Sequence, residues 1–373
     1  MRARRGAMLI AALSGRSIAN AAARAGYAPL VADLFGDRDT RDIAQGLEQV
    51  PGDLRRGLGK RPLISALERL AHGREPVGLV CGAGFEASPR FLSPLARRWP
   101  LFGNDAGLVA RLKDPFAFAA LCGEFGVAHP GIRKTPPADP RGWLVKRAGA
   151  SGGGHVRRAA IRRSKAKADY WQERIGGDAV SAAFLADGKN VLVVAFSRQW
   201  TDPAPEAEFR YGGVVRIPRE AVAARGKMLD AVRKFSTLGL KGLNSADFLV
   251  NDEGCWLLEI NPRPGASLDV LTDRRGEMFA LHVEACRGAL PREAPDYDGF
   301  GAAMVVYARR EVPCVPDISW PDWSADRQNA GTRVRSGEPL CTVLASEAGP
   351  ARAEATVRER AVRIRMMLEG DAR

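Results

Sequence analysis

A chain of 373 residues, 46% hydrophobic and 27% charged, has the composition of a globular protein and the length for about two or three domains. Its formal net charge of +13 points to polyanionic ligands, and no apolar run approaches the roughly 18 residues of a membrane span. Six cysteines without a CxxC pair and four histidines without an HExxH spacing argue against a disulfide framework or a zinc site.

The basic start, followed by Met8 to Leu13, has two parts of a signal peptide. Ser14-Gly15-Arg16-Ser17 interrupts the apolar run and no cleavage site follows, so the segment reads as a first buried strand of a cytoplasmic protein. Ser17 to Ala25 reads as a helix ended by Gly26, Pro29 to Ala32 as a strand closed by Asp33, and Val77 to Cys81 as another strand. This alternation predicts a parallel α/β sheet, with an acidic residue where such sheets often hold a ligand. A dinucleotide is not supported, because there is no GxGxxG.

Near residue 105 the character changes. Leu108 to Phe125 reads as a helix carrying Lys113. A Pro-rich connection leads to the strand Trp143 to Lys146, then to a glycine-rich segment containing Ser151, Gly152, Gly153 and Gly154. Glycines let backbone N–H groups approach phosphate oxygens, and a lysine adds a point charge. It is not a Walker A loop, having no GK[ST] ending. The basic run Arg157, Arg158, Arg162, Arg163, Lys165 and Lys167 lacks interleaved aromatics and reads as a solvated face, not a nucleic-acid site. Strands follow over 170–175, 180–185 and 191–196, then an amphipathic helix over 219–235. Gln172-Glu173-Arg174-Ile175 offers backbone groups and a carboxylate suited to adenine and ribose.

Asp247 to Val250, a turn at Asn251-Asp252-Glu253-Gly254, and Trp256 to Gly265 read as a β-hairpin. Pairing Val250 with Trp256 sets Asp247 opposite Glu259, with Leu257, Glu259 and Asn261 on one face and Leu258 and Ile260 on the other. That register needs a five-residue connection, Asn251 to Cys255; a four-residue one turns Glu259 to the opposite face. Facing carboxylates repel and persist most readily around a cation. Asn261 supplies a third oxygen for a hard divalent ion, and Arg263 is a planar cation suited to phosphate. A helix follows over 276–286. Beyond residue 296, strands over 301–307 and 340–344 with a Pro- and Trp-rich stretch between them suggest a small β-rich accessory module.

Taken in order, Lys113, Lys146, the glycine loop, Gln172-Glu173, Asp247, Glu259, Asn261 and Arg263 resemble the ATP-grasp superfamily over roughly residues 105 to 290. The most specific piece is Leu258-Glu259-Ile260-Asn261-Pro262-Arg263-Pro264. The resemblance implies an α/β (α+β) fold: a Rossmann-like pre-ATP-grasp domain over 1–105, an ATP-grasp domain over 106–295 split near 175, and a C-terminal module over 296–373. It implies two antiparallel subdomains clamping ATP. By the resemblance, Lys113 and Lys146 would contact its phosphates under the loop Ser151 to Gly154, Gln172, Glu173 and Ile175 would hold adenine, and Asp178 would hold the ribose. The resemblance likewise implies that Asp247, Glu259 and Asn261 would bind two magnesium ions, with manganese as the alternative.

The implied reaction is carboxylate–amine ligation through an acyl phosphate, releasing ADP and phosphate. Arg263 and Lys146 stabilise the transferring charge. Arg210, Tyr211, Gly265 and Ser267 are candidates for substrate contacts; Ser267 is equally suited to capping a helix. The ending Asn261 to Ser267 resembles the branch holding the tyramine–glutamate ligase of methanofuran synthesis. Gly26 to Thr40 resembles predicted ATP-grasp proteins of the methanopterin and methylofuran pathways, pointing to glutamate or another amino acid as substrate. Small-molecule partners and a homodimer are expected. The alternatives are an ATP-binding module without turnover and an ATP-grasp kinase or carboxylase.

Overall fold

The computed structural model describes residues 5–54, 57–159, 169–205 and 207–370; Arg162, Arg163, Lys165 and Lys167 of the basic run lie outside the described residues. Strand β1 (Ala7–Ala12), helix α1 (Arg16–Arg24), β2 (Ala28–Asp33), α2 (Arg38–Ile43) and β3 (Gly46–Gln49) follow in turn. A two-stranded ribbon, β4 (Gly52–Asp53) and β5 (Gly57–Leu58), precedes α3 (Lys60–Ala71) and β6 (Leu79–Cys81). β1 pairs in parallel with β2 and β6, giving the order β3-β2-β1-β6. Both faces of β1 are covered, which is why its sequence is apolar without alternation. Leu9 and Ala11 pack with Leu63 and Leu67 of α3, and Met8 and Ile10 with Ile18 and Ala22 of α1.

Asp33 at the end of β2 does not wait for a ligand. Its Oδ2 accepts the Gly15 N–H at 2.9 Å and its Oδ1 the Gly36 N–H at 2.8 Å, so it latches two loops together. A side chain at Gly15 would stand 2.5 Å from Val31 Cγ1, so the approach requires glycine.

After α4 (Leu92–Ala96), the helix expected over 108–125 is two: α5 (Ala106–Lys113) and α6 (Pro115–Glu124). Asp114 ends the first and caps the second, its Oδ1 accepting the N–H groups of Phe116 and Ala117. Pro115 disfavours helical backbone at Asp114, and the break leaves Lys113 at a helix tip. Strands β7 (Ile132–Arg133), β8 (Trp143–Arg147), β9 (Arg157–Arg158) and β10 (Asp169–Glu173) form a small antiparallel sheet of order β7-β10-β8-β9.

The chain then enters the large sheet with β11 (Asp178–Asp187), β12 (Val191–Thr201) and β13 (Tyr211–Ile217). The helix expected over 219–235 begins later: a 3-10 turn at Arg219–Ala221 gives way to α7 (Arg225–Ser236). Met228, Val232 and Phe235 of α7 share a core with Phe118, Phe184 and Phe248. β14 (Lys241–Asn251) and β15 (Gly254–Asn261) follow, then α8 (Met278–Cys286). His282 is a core residue: its Nδ1 accepts the Leu243 N–H at 2.8 Å and its Nε2 faces the Phe102 carbonyl at 3.2 Å.

The segment beyond 296 differs from the expected β module. β16 (Phe300–Tyr307) pairs with β13, and β18 (Pro339–Glu347) pairs with β16 and with the edge strand β17 (Ser324–Ala325). These strands extend the large sheet to the order β15-β14-β11-β12-β13-β16-β18-β17. A 20-residue helix absent from the sequence reading, α9 (Pro350–Glu369), buries Ala353, Val357, Ala361 and Ile364 against this extension. β13 and β16 lie about ninety residues apart in the chain, a pairing that local patterns do not carry.

Candidate active site

Asp247 faces Glu259, but by a different route from the one expected. Val250 pairs with Cys255, not Trp256, and Asn251 with Gly254. The connection is thus the four-residue case, closed by Asn251 Oδ1 accepting the N–H groups of Glu253 and Gly254. Uncorrected, that register would turn Glu259 toward the helices. A β-bulge at Leu258 shifts the ladder by one residue and restores Asp247 opposite Glu259. Leu257 and Ile260 consequently share the core face, whereas Leu257 was expected beside Glu259.

Lys113 reaches this pair from the tip of α5. Its ammonium donates to Glu259 Oε2 at 2.9 Å and to Asn261 Oδ1 at 2.7 Å, with its side chain 8% exposed. The Asn261 amide donates to Asp247 Oδ2 at 2.9 Å, and Gln199 donates to Asp247 Oδ1 at 3.2 Å. The two carboxylates are electrostatically unequal. Burial, and then Glu259, raise the Asp247 pKa above the carboxylate range. Desolvation also opposes ionisation of Glu259, but Lys113 and Lys146 outweigh it and hold its pKa low.

Two carboxylates and a carboxamide oxygen are hard donors suited to magnesium, and the Lys113 ammonium already stands as a cation against two of them. The residues therefore fit such an ion. Among the described residues no three His, Cys, Asp or Glu side chains converge for a metal, so Asn261 is needed as the third donor.

Lys146, on β8, donates to the buried Gln172 of β10 at 2.8 Å; burial pushes the Lys146 pKa below its ordinary value. Glu173 points outward and accepts the Gly131 N–H at 3.3 Å. Ile175 follows the end of β10, and Asp178 is exposed at the start of β11, so both lie where the chain passes from small sheet to large. The glycine loop spans the same gap. Tyr211 N–H donates to Gly152 O at 2.9 Å, and Gly153, at φ +72°, would place a Cβ 2.0 Å from Phe209 O. Ser151 and Gly154 lie on the wall of a cavity of about 1090 Å³ beneath this loop.

Arg210, Tyr211 and Gly265 line that cavity too. Arg210 is held by Asp202 at 2.7 Å and lies 3.7 Å over the Tyr307 ring, so segment 209–213 is an anchored strand entry. Ser267 differs from expectation: Gly265 is the N-cap of the 3-10 turn Ala266–Val270, and Ser267 lies inside the turn, off the cavity wall.

Three features went unread in the sequence. Arg263 donates to Glu86 Oε1 at 2.6 Å, tying the end of β15 to the loop after β6; burial works against the Glu86 charge, but Arg263 and Lys113 keep its pKa below the usual range. Asn104 donates to Asn244 Oδ1 at 2.8 Å and Pro262 O at 2.9 Å and accepts the Lys241 N–H at 2.8 Å, binding both ends of the hairpin. Asp39, Asp269 and Asp326 surround Arg16 at the cavity floor, with Asp37 on the wall nearby. Only the Asx-type capping signal at Asp37 had a local trace.

Comparison with known proteins fits this architecture. Residues 120–267 match the family model described as ATP-grasp domain. An uncharacterized protein of Methanocaldococcus jannaschii is 23% identical over 183 residues, a match spanning 47% of this chain and 42% of that protein. Among solved structures, the L-amino acid ligase from Bacillus licheniformis superposes with a TM-score of 0.67 at 14% identity, over 96% of this chain and 97% of that one. N5-carboxyaminoimidazole synthetase from Staphylococcus aureus gives 0.66 at 14%, over 97% and 98%. The ATP complex of biotin carboxylase from Campylobacter jejuni gives 0.66 at 14%, over 93% and 89%. At these identities the likeness is one of fold. The chain shares the fold of these proteins, and residues 120–267 match the ATP-grasp domain model.

Proposed function

We propose that the protein is an ATP- and magnesium-dependent carboxylate–amine ligase, forming an amide through an acyl phosphate and releasing ADP and phosphate. The observation that carries this reading is the convergence of Lys113, Glu259, Asn261 and Asp247, with Lys146 and the buried Arg263 close enough to influence their ionisation. Asp247, Glu259 and Asn261 would hold magnesium, which when bound neutralises phosphate charge. Lys113 and Lys146 bind the phosphates, and the glycine loop shields them from water. Arg263, fixed by Glu86, stabilises the negative charge that develops on the acyl phosphate and on the tetrahedral adduct. No nucleophilic side chain is required, since the substrate carboxylate attacks the γ-phosphorus and the amine then displaces phosphate.

The large cavity beside Pro264 and Gly265 suits a small-molecule carboxylate or amine. An amino acid such as glutamate, used in building a C1-carrier cofactor, is the preferred substrate. The ordered set of metal donors favours a working enzyme over a silent ATP-binding module. The test is ADP release with magnesium across paired acids and amines. Wild type should release ADP only with a matched pair, and Glu259→Gln should lower the rate by about 100-fold or more. Release indifferent to Glu259 and to any added pair would sink the reading; a stable phosphorylated product or bicarbonate fixation would replace it with a kinase or carboxylase.

A further inference from the structure

Strand β8 ends on two consecutive cations, and neighbouring residues of a strand face opposite sides. Lys146 turns toward Gln172 and feels Glu259, Lys113 and Asp247, so the chemistry above absorbs it. Arg147 turns the other way, onto the wall of the large cavity. The ligase reading gives it no task.

Most acids on that wall already have a base. Arg16 holds Asp269 and Asp326. Arg158 Nε meets both oxygens of Glu208, at 2.8 and 2.9 Å. Glu338 lies 3.7 Å from Arg335. Burial, then Asp326 and Asp39, raise the Asp37 pKa well above the carboxylate range. Burial pushes the His155 pKa down to about 4, so the ring beside Arg147 is neutral. Asp169 stands opposite Arg147 in the β8–β10 ladder, yet its Oδ2 lies 3.6 Å from Arg157. Among the described residues, Arg147 forms no side-chain hydrogen bond and no ion pair. At this end of the cavity the guanidinium groups of Arg147, Arg157 and Arg158 meet the carboxylates of Asp169 and Glu208, and one positive charge is left over.

Arg147 is half-buried and borders the cavity, so a ligand can reach it. Ala83, Ala150 and Val156 line the wall with it, and an ion pair made against apolar neighbours is stronger than one in open water. A guanidinium offers parallel N–H groups that match a carboxylate or phosphate. At about 1090 Å³ the cavity has room for much more than one reacting carboxylate.

We infer that Arg147 binds an oxyanion of the substrate, a carboxylate or phosphate separate from the group that reacts. The substrate is then an acid with a second anionic group: a dicarboxylic acid or a phosphorylated carboxylic acid. Arg147 selects which acids enter, while Arg263 and the metal donors act on the reacting carboxylate. That the bound acid is a substrate rests on the ligase reading; that the wall holds an oxyanion does not.

The test is ligand-observed NMR on the full-length protein with the magnesium complex of a non-hydrolysable ATP analogue present. The probes are glutarate, 4-phosphonobutanoate and, lacking the second anion, pentanoate. Wild type should bind at least one of the first two about tenfold or more tightly than pentanoate, the strength of a hydrogen-bonded charge pair. The tighter of the two distinguishes a carboxylate site from a phosphate site. Arg147→Met keeps the apolar stem and breaks no hydrogen bond among the described residues, and it should abolish the preference; Arg147→Lys should restore part of it. Both variants should bind the ATP analogue as wild type does. No preference over pentanoate in wild type, or an unchanged preference in Arg147→Met, would overturn the proposal. A matching loss of ATP-analogue affinity in that variant would also overturn it, assigning Arg147 to the nucleotide. ADP release indifferent to Glu259→Gln, with the preference still lost in Arg147→Met, would remove the ligase reading and leave the oxyanion site standing.

Discussion

Arg263 and Glu86 meet at 2.6 Å, joining residues 177 positions apart and clasping the end of β15 to the N-terminal sheet. Both side chains are largely buried, at 16% and 6% exposure, so neither charge is compensated by water if its partner is lost. Glu86→Gln should therefore let the guanidinium leave its present place. The expected result is a fall in kcat of about 10–100-fold with the KM for ATP nearly unchanged, the size typical of losing a supporting partner. A KM effect without a kcat effect would mean that Arg263 serves ground-state binding.

Lys113 occupies Glu259 Oε2 and Asn261 Oδ1, so on the proposed assignment a divalent ion would have to compete with it for both oxygens. Removing a cation that lies within 3 Å of these oxygens should raise metal affinity by about tenfold or more, given the strength of such a pair at low effective dielectric. Lys113→Met should thus bind manganese more tightly in the absence of nucleotide, read by electron paramagnetic resonance, while turning over ATP more slowly. Weaker manganese binding in the variant would show that the two do not share a place.

His282 is held neutral by the Leu243 N–H and the Phe102 carbonyl, and burial pushes its pKa down to about 4. An unfolded histidine titrates at about 6.5. Between those values the unfolded chain binds the proton and the folded chain does not. The stabilisation is complete above about pH 6.5 and falls as pH is lowered toward 4, by up to about 1.4 kcal/mol per pH unit for one such group. Denaturant melts at pH 6.5 and 4.5 should show a smaller loss for His282→Gln than for wild type; equal losses would refute the assignment.

Asn104 is the buried pin of the hairpin, meeting Asn244, Lys241 and Pro262 at once. Asn104→Ala leaves the Lys241 N–H and the Pro262 carbonyl without this partner. The expected cost is about 1–3 kcal/mol in urea melts for each group left unsatisfied. Activity should fall further than stability alone accounts for, because Pro262 directly precedes Arg263.

Three strands of the parallel N-terminal sheet, β1, β2 and β6, were legible because they are largely apolar and glycine follows nearby, whereas β3, Gly46-Leu47-Glu48-Gln49, carries no such signal. The run Leu258 to Pro264 stood out because it places two acidic or amide oxygens and a guanidinium at close, alternating positions of one strand and its end. What stayed hidden was set by distance along the chain. Nothing near Arg263 announces Glu86, and nothing near Gly301 announces that this strand will pair with β13. Asp114-Pro115 did carry a readable break, since proline restricts the residue before it, and the two-helix outcome follows from that rule. The hairpin is the instructive case. The facing of Asp247 and Glu259 was reached with the wrong turn length, and Leu258 supplied the compensating step, which alternation alone cannot reveal.

That extra residue at Leu258 has a mechanical meaning. It lies one position before Glu259, while Asn104 clamps the strand from the other side at Pro262. The end of the strand that carries Glu259 and Asn261 is thus indexed to the body of the sheet, and the turn at Asp252 and Glu253 projects beyond the offset. Lengthening that turn should leave the donor atoms where they are, whereas deleting Leu258 would turn Cys255 and Leu257 outward or Glu259 inward. The tip is therefore the safer place to graft a tag or a probe, and Leu258 is a spacer whose removal would displace Glu259 without altering it.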